Sequence, residues 1–210
     1  FEDSFPSIGY IYCLDFRKML ENPSSAIDLI SLRKRRTMTD TVRKICRFFD
    51  GVKDGIYPNL KRMASSVMPC DAVSHRIDLI LDRFGEVKDN ASDTLAAIRK
   101  DIKESENAIS RRINALLKKA QSEGLIDSDA AVSMRDGKML IPVPAANKKK
   151  IQGFIYDESA SGKTAFIEPA EVVELDNRIK ELHFAEGREI LRIFMEFTDF
   201  LRPYLPDLQH

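Results

Sequence analysis

The sequence has 210 residues, with 33 Lys and Arg against 33 Asp and Glu, so its formal net charge is zero and no whole-chain field marks it for a polyanion. Charged residues at 31% and the absence of tryptophan suit long solvated helices better than a compact sandwich or barrel. Cys13, Cys46 and Cys70 are odd in number and widely spaced, which excludes a disulfide framework or a zinc knuckle and suits a reducing cytoplasm.

No run of about 18 apolar residues occurs, and Phe1 to Phe5 has neither the basic flank nor the apolar stretch of a signal peptide, so no membrane partner is expected. The chain starts without methionine and ends in a turn-rich Pro203-Tyr204-Leu205-Pro206-Asp207 followed by Leu208, Gln209 and His210. It reads as part of a longer protein.

The apolar positions Ile27, Ile30, Met38, Val42, Ile45 and Phe49 fall mostly at three- and four-residue steps, which predicts a helix over 26–49 with one buried face, started by Asn22-Pro23-Ser24. Gly51 and Gly55 break the pattern. Tyr57-Pro58 opens another helical segment through Leu60, Met63 and Val67, continued by Ile77, Ile80, Leu81 and Phe84. Residues 1–91 are therefore expected to form a small helical bundle.

A more regular stretch follows. Leu95, Ile98, Ile102, Ile109, Ile113, Leu116 and Ala120 make a heptad-like seam, with Ser92 as the cap and Asp93 favoured at the positive helix end. A seam this narrow covers one partner helix. Glu168-Pro169, with proline suited to a first turn, begins a helix continuing through Val172, Leu175, Ile179, Leu182, Ile190, Ile193, Phe197 and Leu201, which would be that partner. The expected elements are an outgoing helix over 92–134 and an antiparallel return over 169–205.

Between them, 135–168 carries short apolar runs: Met139 to Ile141, Ile151 to Tyr156 and Ala165 to Ile167. These read as strands, with Asp136-Gly137 and Ala160-Ser161-Gly162 as turns. The predicted class is mainly α: a helical bundle with a long antiparallel helix pair bearing a small antiparallel sheet at its tip.

Ser161-Gly162-Lys163-Thr164 imitates the end of a phosphate-binding P-loop. The glycine such a loop needs five residues earlier is Asp157, Glu158 follows it, and strand-like residues come after, so a hairpin turn is the better reading. His75, His183 and His210 have no cysteine or carboxylate at ligand spacing and read as scaffold. Glu168, Glu171 and Glu174 are explained by the helix dipole. No nucleophile and base can be assembled, so neither catalysis nor a metal site is expected of this chain.

The basic clusters remain. Arg33-Lys34-Arg35-Arg36 is more simply a solvated helix face. Lys148-Lys149-Lys150 shares its segment with Arg135, Lys138 and Lys163, set against Asp136, Asp157 and Glu158 as the acids of its turns, so these six cations are the candidate phosphate contacts.

The run Asp157-Glu158-Ser159-Ala160-Ser161-Gly162-Lys163-Thr164-Ala165-Phe166-Ile167-Glu168-Pro169 is similar to a signature of the second-type bacterial MutS family, whose members end in a small MutS-related nuclease domain. Arg135-Asp136-Gly137-Lys138 with Ile141-Pro142-Val143 resembles the strand before that signature, and Val172-Val173-Glu174-Leu175-Asp176-Asn177 its helical continuation. Gly85 to Ser92 resembles the entry to the long helix. The resemblance is specific from about residue 70 to 200; before that only Tyr57-Pro58-x-Leu60 fits. It departs at Tyr156 and Glu158, where the pattern has histidine and glutamine, and at Lys163, where a small residue is common.

This resemblance implies the lever and clamp of a dimeric, DNA-binding ATPase with endonuclease activity that acts on branched or duplex DNA in recombination control and, in some members, on ribosomes. ATP and Mg belong to the P-loop ATPase, which in that family follows the lever, with the nuclease beyond it. Neither is expected within these 210 residues, so this stretch would have no cofactor. The alternative is a structural coiled-coil arm for self-association or partner binding.

Overall fold

The computed structural model describes residues 25–53, 55–66 and 71–204. The proposed start signal Asn22-Pro23-Ser24, the apolar Val67, Cys13, Cys70, His210 and the terminal residues beyond Tyr204 lie outside them. Among the described residues the chain is mainly helical with one four-stranded antiparallel sheet, and it divides into two compact units. One holds the residues up to Ala96 and those from Arg188 onward; the other is Ala97–Gly187.

In the first unit, helix α1 spans Leu29–Gly51, α2 Pro58–Ser66 and α3 Asp71–Ile80. The α1 cap is Asp28, whose carboxylate accepts the Ser31 amide at 2.7 Å. The face predicted for α1 is corrected at Ile30, which is exposed; Ile27 and Phe49 are buried, Met38, Val42 and Ile45 half-buried, and Leu32, Arg35, Thr39 and Thr41 join the buried positions. Phe84 lies beyond α3 and is exposed, as are Leu60 and Met63 on α2. The core joins Ile27, Leu32, Val73, Ile77, Leu81 and Leu95 to Ile193, Phe197 and Leu201. Thr198 fixes the chain entering α1 by accepting the Ile27 amide at 2.8 Å.

The basic run of α1 is built into this unit. Asp82 accepts the amides of Phe84 and Glu86 at 2.8 and 2.9 Å, which hold its carboxyl below the usual range and close a turn with Gly85 at φ +80°. Arg33 grips that turn through the Gly85 carbonyl at 2.6 Å and Glu86 at 2.5 Å, and Arg36 pairs with Asp78 at 3.1 Å. Arg35 is buried. Of the four cations, only Lys34 has the exposed position that a solvated face would give them all.

Helix α4 spans Asp93–Ser122, shorter than the 92–134 predicted, and is followed by Gly124 at φ +69°. Ser92 caps it, accepting the Leu95 amide at 3.0 Å. The predicted seam is buried or half-buried throughout; Ser105 fills the gap in it and Leu117 lies deeper than Leu116. Helix α5 spans Ala170–Leu201. The predicted start at Glu168-Pro169 is corrected, because both residues end a strand.

The sheet lies in the second unit: β1 Ser133–Arg135, β2 Lys138–Pro144, β3 Gly153–Glu158 and β4 Thr164–Pro169, in the order β1-β2-β4-β3. Asp136 and Gly137 both have positive φ, the geometry of a tight two-residue hairpin. β2 gives its first half to β1 and its second to β4. Within that second half, Pro142 and Pro144 alternate with Ile141 and Val143. The Ala145 amide reaches back to the Lys163 carbonyl at 2.9 Å, so by alternation both proline nitrogens turn away from β4. One sheet face, with Ile141, Val143, Ala165 and Ile167, packs on Ile109, Ile113 and Leu117 of α4 and Val172 of α5. Two ion pairs link the helices in this unit, Arg99 with Glu186 at 2.7 Å and Arg112 with Glu171.

Gly153 permits a close approach of β3 to β4. A Cβ there would stand 2.3 Å from the Glu168 carbonyl oxygen and 2.9 Å from Pro169 Cα, both within β4. Gly153→Ala should destabilise the second unit by roughly 1–3 kcal/mol, read from urea unfolding, since the clash is with backbone that cannot swing aside.

In the first unit, Arg192 holds Glu189 in a fork, at 2.6 and 2.9 Å, and Ser92 donates to it at 2.7 Å. Arg192 and then Ser92 lower the Glu189 carboxyl from an ordinary 4.5 to about 2. A depressed folded-state value contributes stability that is complete above pH 4.5 and lost as pH falls toward 2. Glu189→Gln should therefore weaken the fall in unfolding free energy across that window, measured by denaturant titration at several pH values.

Candidate nucleic-acid interface

Sheet and turns gather the six candidate cations into the second unit, and then divide them. Arg135, at the end of β1, lies with its guanidinium carbon 3.7 Å from the centre of the Phe166 ring on β4 and pairs with Asp157 on β3. Lys138, at the start of β2, reaches Glu168 at 2.5 Å and Asp176 of α5 at 3.6 Å. The hydrogen bond to Glu168 raises the Lys138 ammonium above its ordinary value. Burial, and then a hydrogen bond with Glu168, pushes the Asp176 carboxyl up. Lys148 pairs with Glu158 at 3.1 Å.

These contacts act as a latch. Arg135 and Lys138 fold the β1–β2 hairpin onto the sheet face opposite the core, and Tyr156 on β3 adds a third tie, donating its hydroxyl to Asp136 at 2.8 Å. The Asp136 carboxylate raises the Tyr156 phenol above its usual value. Glu168 and Asp176, outside the three acids counted in the segment, are the missing counter-charges.

Lys149, Lys150 and Lys163 differ: all three are exposed and, among the described residues, none makes an ion pair. Lys149 and Lys150 end a 3-10 turn over Ala145–Lys150 leading into β3, where the helix dipole favours cations. Lys163 sits in the β3–β4 turn. That turn closes with Gly162 at φ +66°, the Gly162 amide on the Ser159 carbonyl at 2.8 Å and the Ser159 amide on the Thr164 carbonyl at 2.8 Å. Ser161-Gly162-Lys163-Thr164 is thus a hairpin between strands, not a strand-to-helix phosphate cradle.

Two exposed aromatics on β3 escaped the sequence reading, which took Ile151 to Tyr156 as an ordinary apolar run. Phe154 is 63% exposed and Tyr156 39% exposed on β3, an edge strand. Only the departure at Tyr156 from the family pattern could have drawn attention there. His75 and His183 are exposed, the latter 3.3 Å from Glu186. Among the described residues no group of His, Cys, Asp or Glu is arranged to hold a metal, and no helix is long and apolar enough to cross a membrane.

No protein-family model matches the chain. Among curated proteins it is 32% identical over 183 residues to endonuclease MutS2 of Enterococcus faecalis, covering 86% of this chain and 23% of that protein. The match to endonuclease MutS2 of Lacticaseibacillus paracasei is 36% over 165 residues, covering 78% and 21%. That to the Alkaliphilus oremlandii protein of the same name is 30% over 178 residues, covering 85% and 22%. The chain thus spans somewhat over a fifth of the length of the relatives it matches.

Arg135→Ala should cost about 1 kcal/mol of stability in the second unit, losing a stacked cation and a partly exposed ion pair. Thermal melting of the purified variant checks it. An unchanged melt would mean that Arg135 holds nothing in place and is available to a ligand.

Proposed function

We infer that this chain, a segment of the MutS2 family, supplies the lever and clamp of a DNA-binding ATPase and grips nucleic acid through phosphates at the sheet. The observation that carries the inference is the set of three exposed, unpaired lysines, Lys149, Lys150 and Lys163, at one small sheet in a chain whose relatives are named endonucleases. Cations that are solvated and uncommitted can release counterions on meeting a phosphate backbone; cations bound to carboxylates must first break those pairs. Arg135, Lys138 and Lys148 therefore act chiefly by shaping the surface.

In this reading α4 and α5 are the arms of the lever, an antiparallel pair that carries the state of a distant ATPase to the clamp by rigid-body motion. The ion pairs Arg99–Glu186 and Arg112–Glu171 support that pairing, since one partner's number rises as the other's falls. Catalysis, ATP and Mg reside in the remainder of the protein, as do the contacts of a homodimer. Branched DNA is the proposed substrate, with the ribosome as a second polyanion of the same surface chemistry. A cytoplasmic location follows from those partners.

A second reading is an arm for self-association. The exposed Leu191 and Met195, four residues apart on α5 in the first unit, favour it.

Triple charge reversal, Lys149→Glu with Lys150→Glu and Lys163→Glu, should lower affinity for a labelled four-way junction at least ten-fold at low salt and flatten the slope of log affinity against log salt by about three. Unchanged affinity and slope would reject phosphate contact here. Concentration-dependent dimerisation in sedimentation without DNA binding would favour the self-association arm.

A further inference from the structure

Strand β3 presents aromatic surface that the sheet does not use. Phe154, Ile155 and Tyr156 are 63%, 49% and 39% exposed, although the strand is hydrogen-bonded to β4 along its length. In register, Phe154 stands opposite Glu168 while Ile155 stands opposite Ile167, so Phe154 lies on the face turned away from the Ile141, Val143, Ala165 and Ile167 core. A register shift between Ile155 and Asp157 leaves Tyr156 as an extra residue, and its hydroxyl is fixed on Asp136 at 2.8 Å. The ring is thus held at the surface rather than free to fold inward.

The remaining aromatic of this face shows what such a ring does when it has a partner. Phe166 is covered by the Arg135 guanidinium; among the described residues no cation lies over Phe154. Cations flank the strand along the chain. The Lys148–Glu158 pair ties the lysine run to β3, the exposed Lys149 and Lys150 lie five and four residues ahead of Phe154, and the exposed Lys163 follows in the β3–β4 turn. A bulged edge flanked by lysines is poorly suited to pairing with another strand. Exposed aromatic rings on a strand flanked along the chain by uncommitted cations instead match a ligand that carries flat π-faces on a phosphate chain.

We propose that β3 is a stacking platform for unpaired nucleobases, with Phe154 as the principal ring, Tyr156 as a fixed second ring, and Lys149, Lys150 and Lys163 holding the flanking phosphates. It rests on the phosphate-contact reading above and adds to it a preference: strands with accessible bases over fully paired duplex. Branch points and RNA loops both offer such bases.

The test uses the 210-residue chain and labelled 20-mers in fluorescence anisotropy at low salt: oligothymidine, oligouridine, an abasic deoxyribose-phosphate strand of equal charge, and duplex DNA. Oligothymidine and oligouridine should bind at least about ten-fold tighter than the abasic strand. Phe154→Ala should erase that difference with little effect on the abasic strand, and Phe154→Trp should restore it. The triple lysine reversal should weaken every polymer. Equal binding of abasic and base-carrying strands, or a Phe154→Ala variant that retains the difference, overturns the platform while leaving phosphate contact standing. Failure of all four polymers to bind overturns both. Because Phe154 is exposed, its variants should melt with the parent, so loss of binding reports the site and not the fold.

Discussion

Glu168 is 6% exposed within the sheet unit, and a carboxylate taken so far out of water must be given a counter-charge and hydrogen bonds. Lys138 provides the charge at 2.5 Å, and the neighbouring Asp176 is drawn into the same cluster and made harder to ionise. The position of β2 relative to β4 and α5 is thereby fixed by one ion as well as by apolar packing. This demand decides the chemistry of the surface, because a lysine claimed by a buried acid is lost to external ligands. Arg135 is claimed in the same way, by Asp157 and the Phe166 ring. What remains for a polyanion is what the interior did not need.

The same rule governs the first unit. Three arginines in four residues look like a binding strip in one dimension. In three dimensions Arg33 and Arg36 brace a turn some fifty residues away, and Arg35 is buried. The apolar side chain of this turn, Phe84, is exposed, and carbonyls that point at guanidinium groups provide the anchorage instead.

How far the chain could be read in advance follows from the range of the interactions. Local signals held: the Ser92 cap, the Asp136-Gly137 hairpin, the Gly162 turn and the buried seam of α4 are each decided by neighbours within a few residues. The start of α5 was misplaced because Pro169 satisfies both a first helical turn and the end of a strand, and only pairing with Gly153 decides between them. The α1 face was misread at Ile30 alone among its named positions, because tertiary packing turns that apolar residue outward and takes the polar Thr39 in. The six candidate cations do share the second unit, but which of them were committed depended on acids that the sequence places up to forty residues away. The exposure of Phe154 was invisible for a related reason: strand order, not strand composition, puts β3 at the edge.

Pro142 and Pro144 impose a limit on the sheet. With their nitrogens turned from β4, the outward side of that half of β2 lacks amide donors where a fifth strand would seek them. On the opposite border the bulge at Tyr156 interrupts the ladder. With half of one border lacking donors and the other out of step, the sheet is poorly suited to adding strands edge to edge. Its aromatic rings on β3 thus stand in solvent on a sheet that resists recruiting copies of itself into a growing fibril.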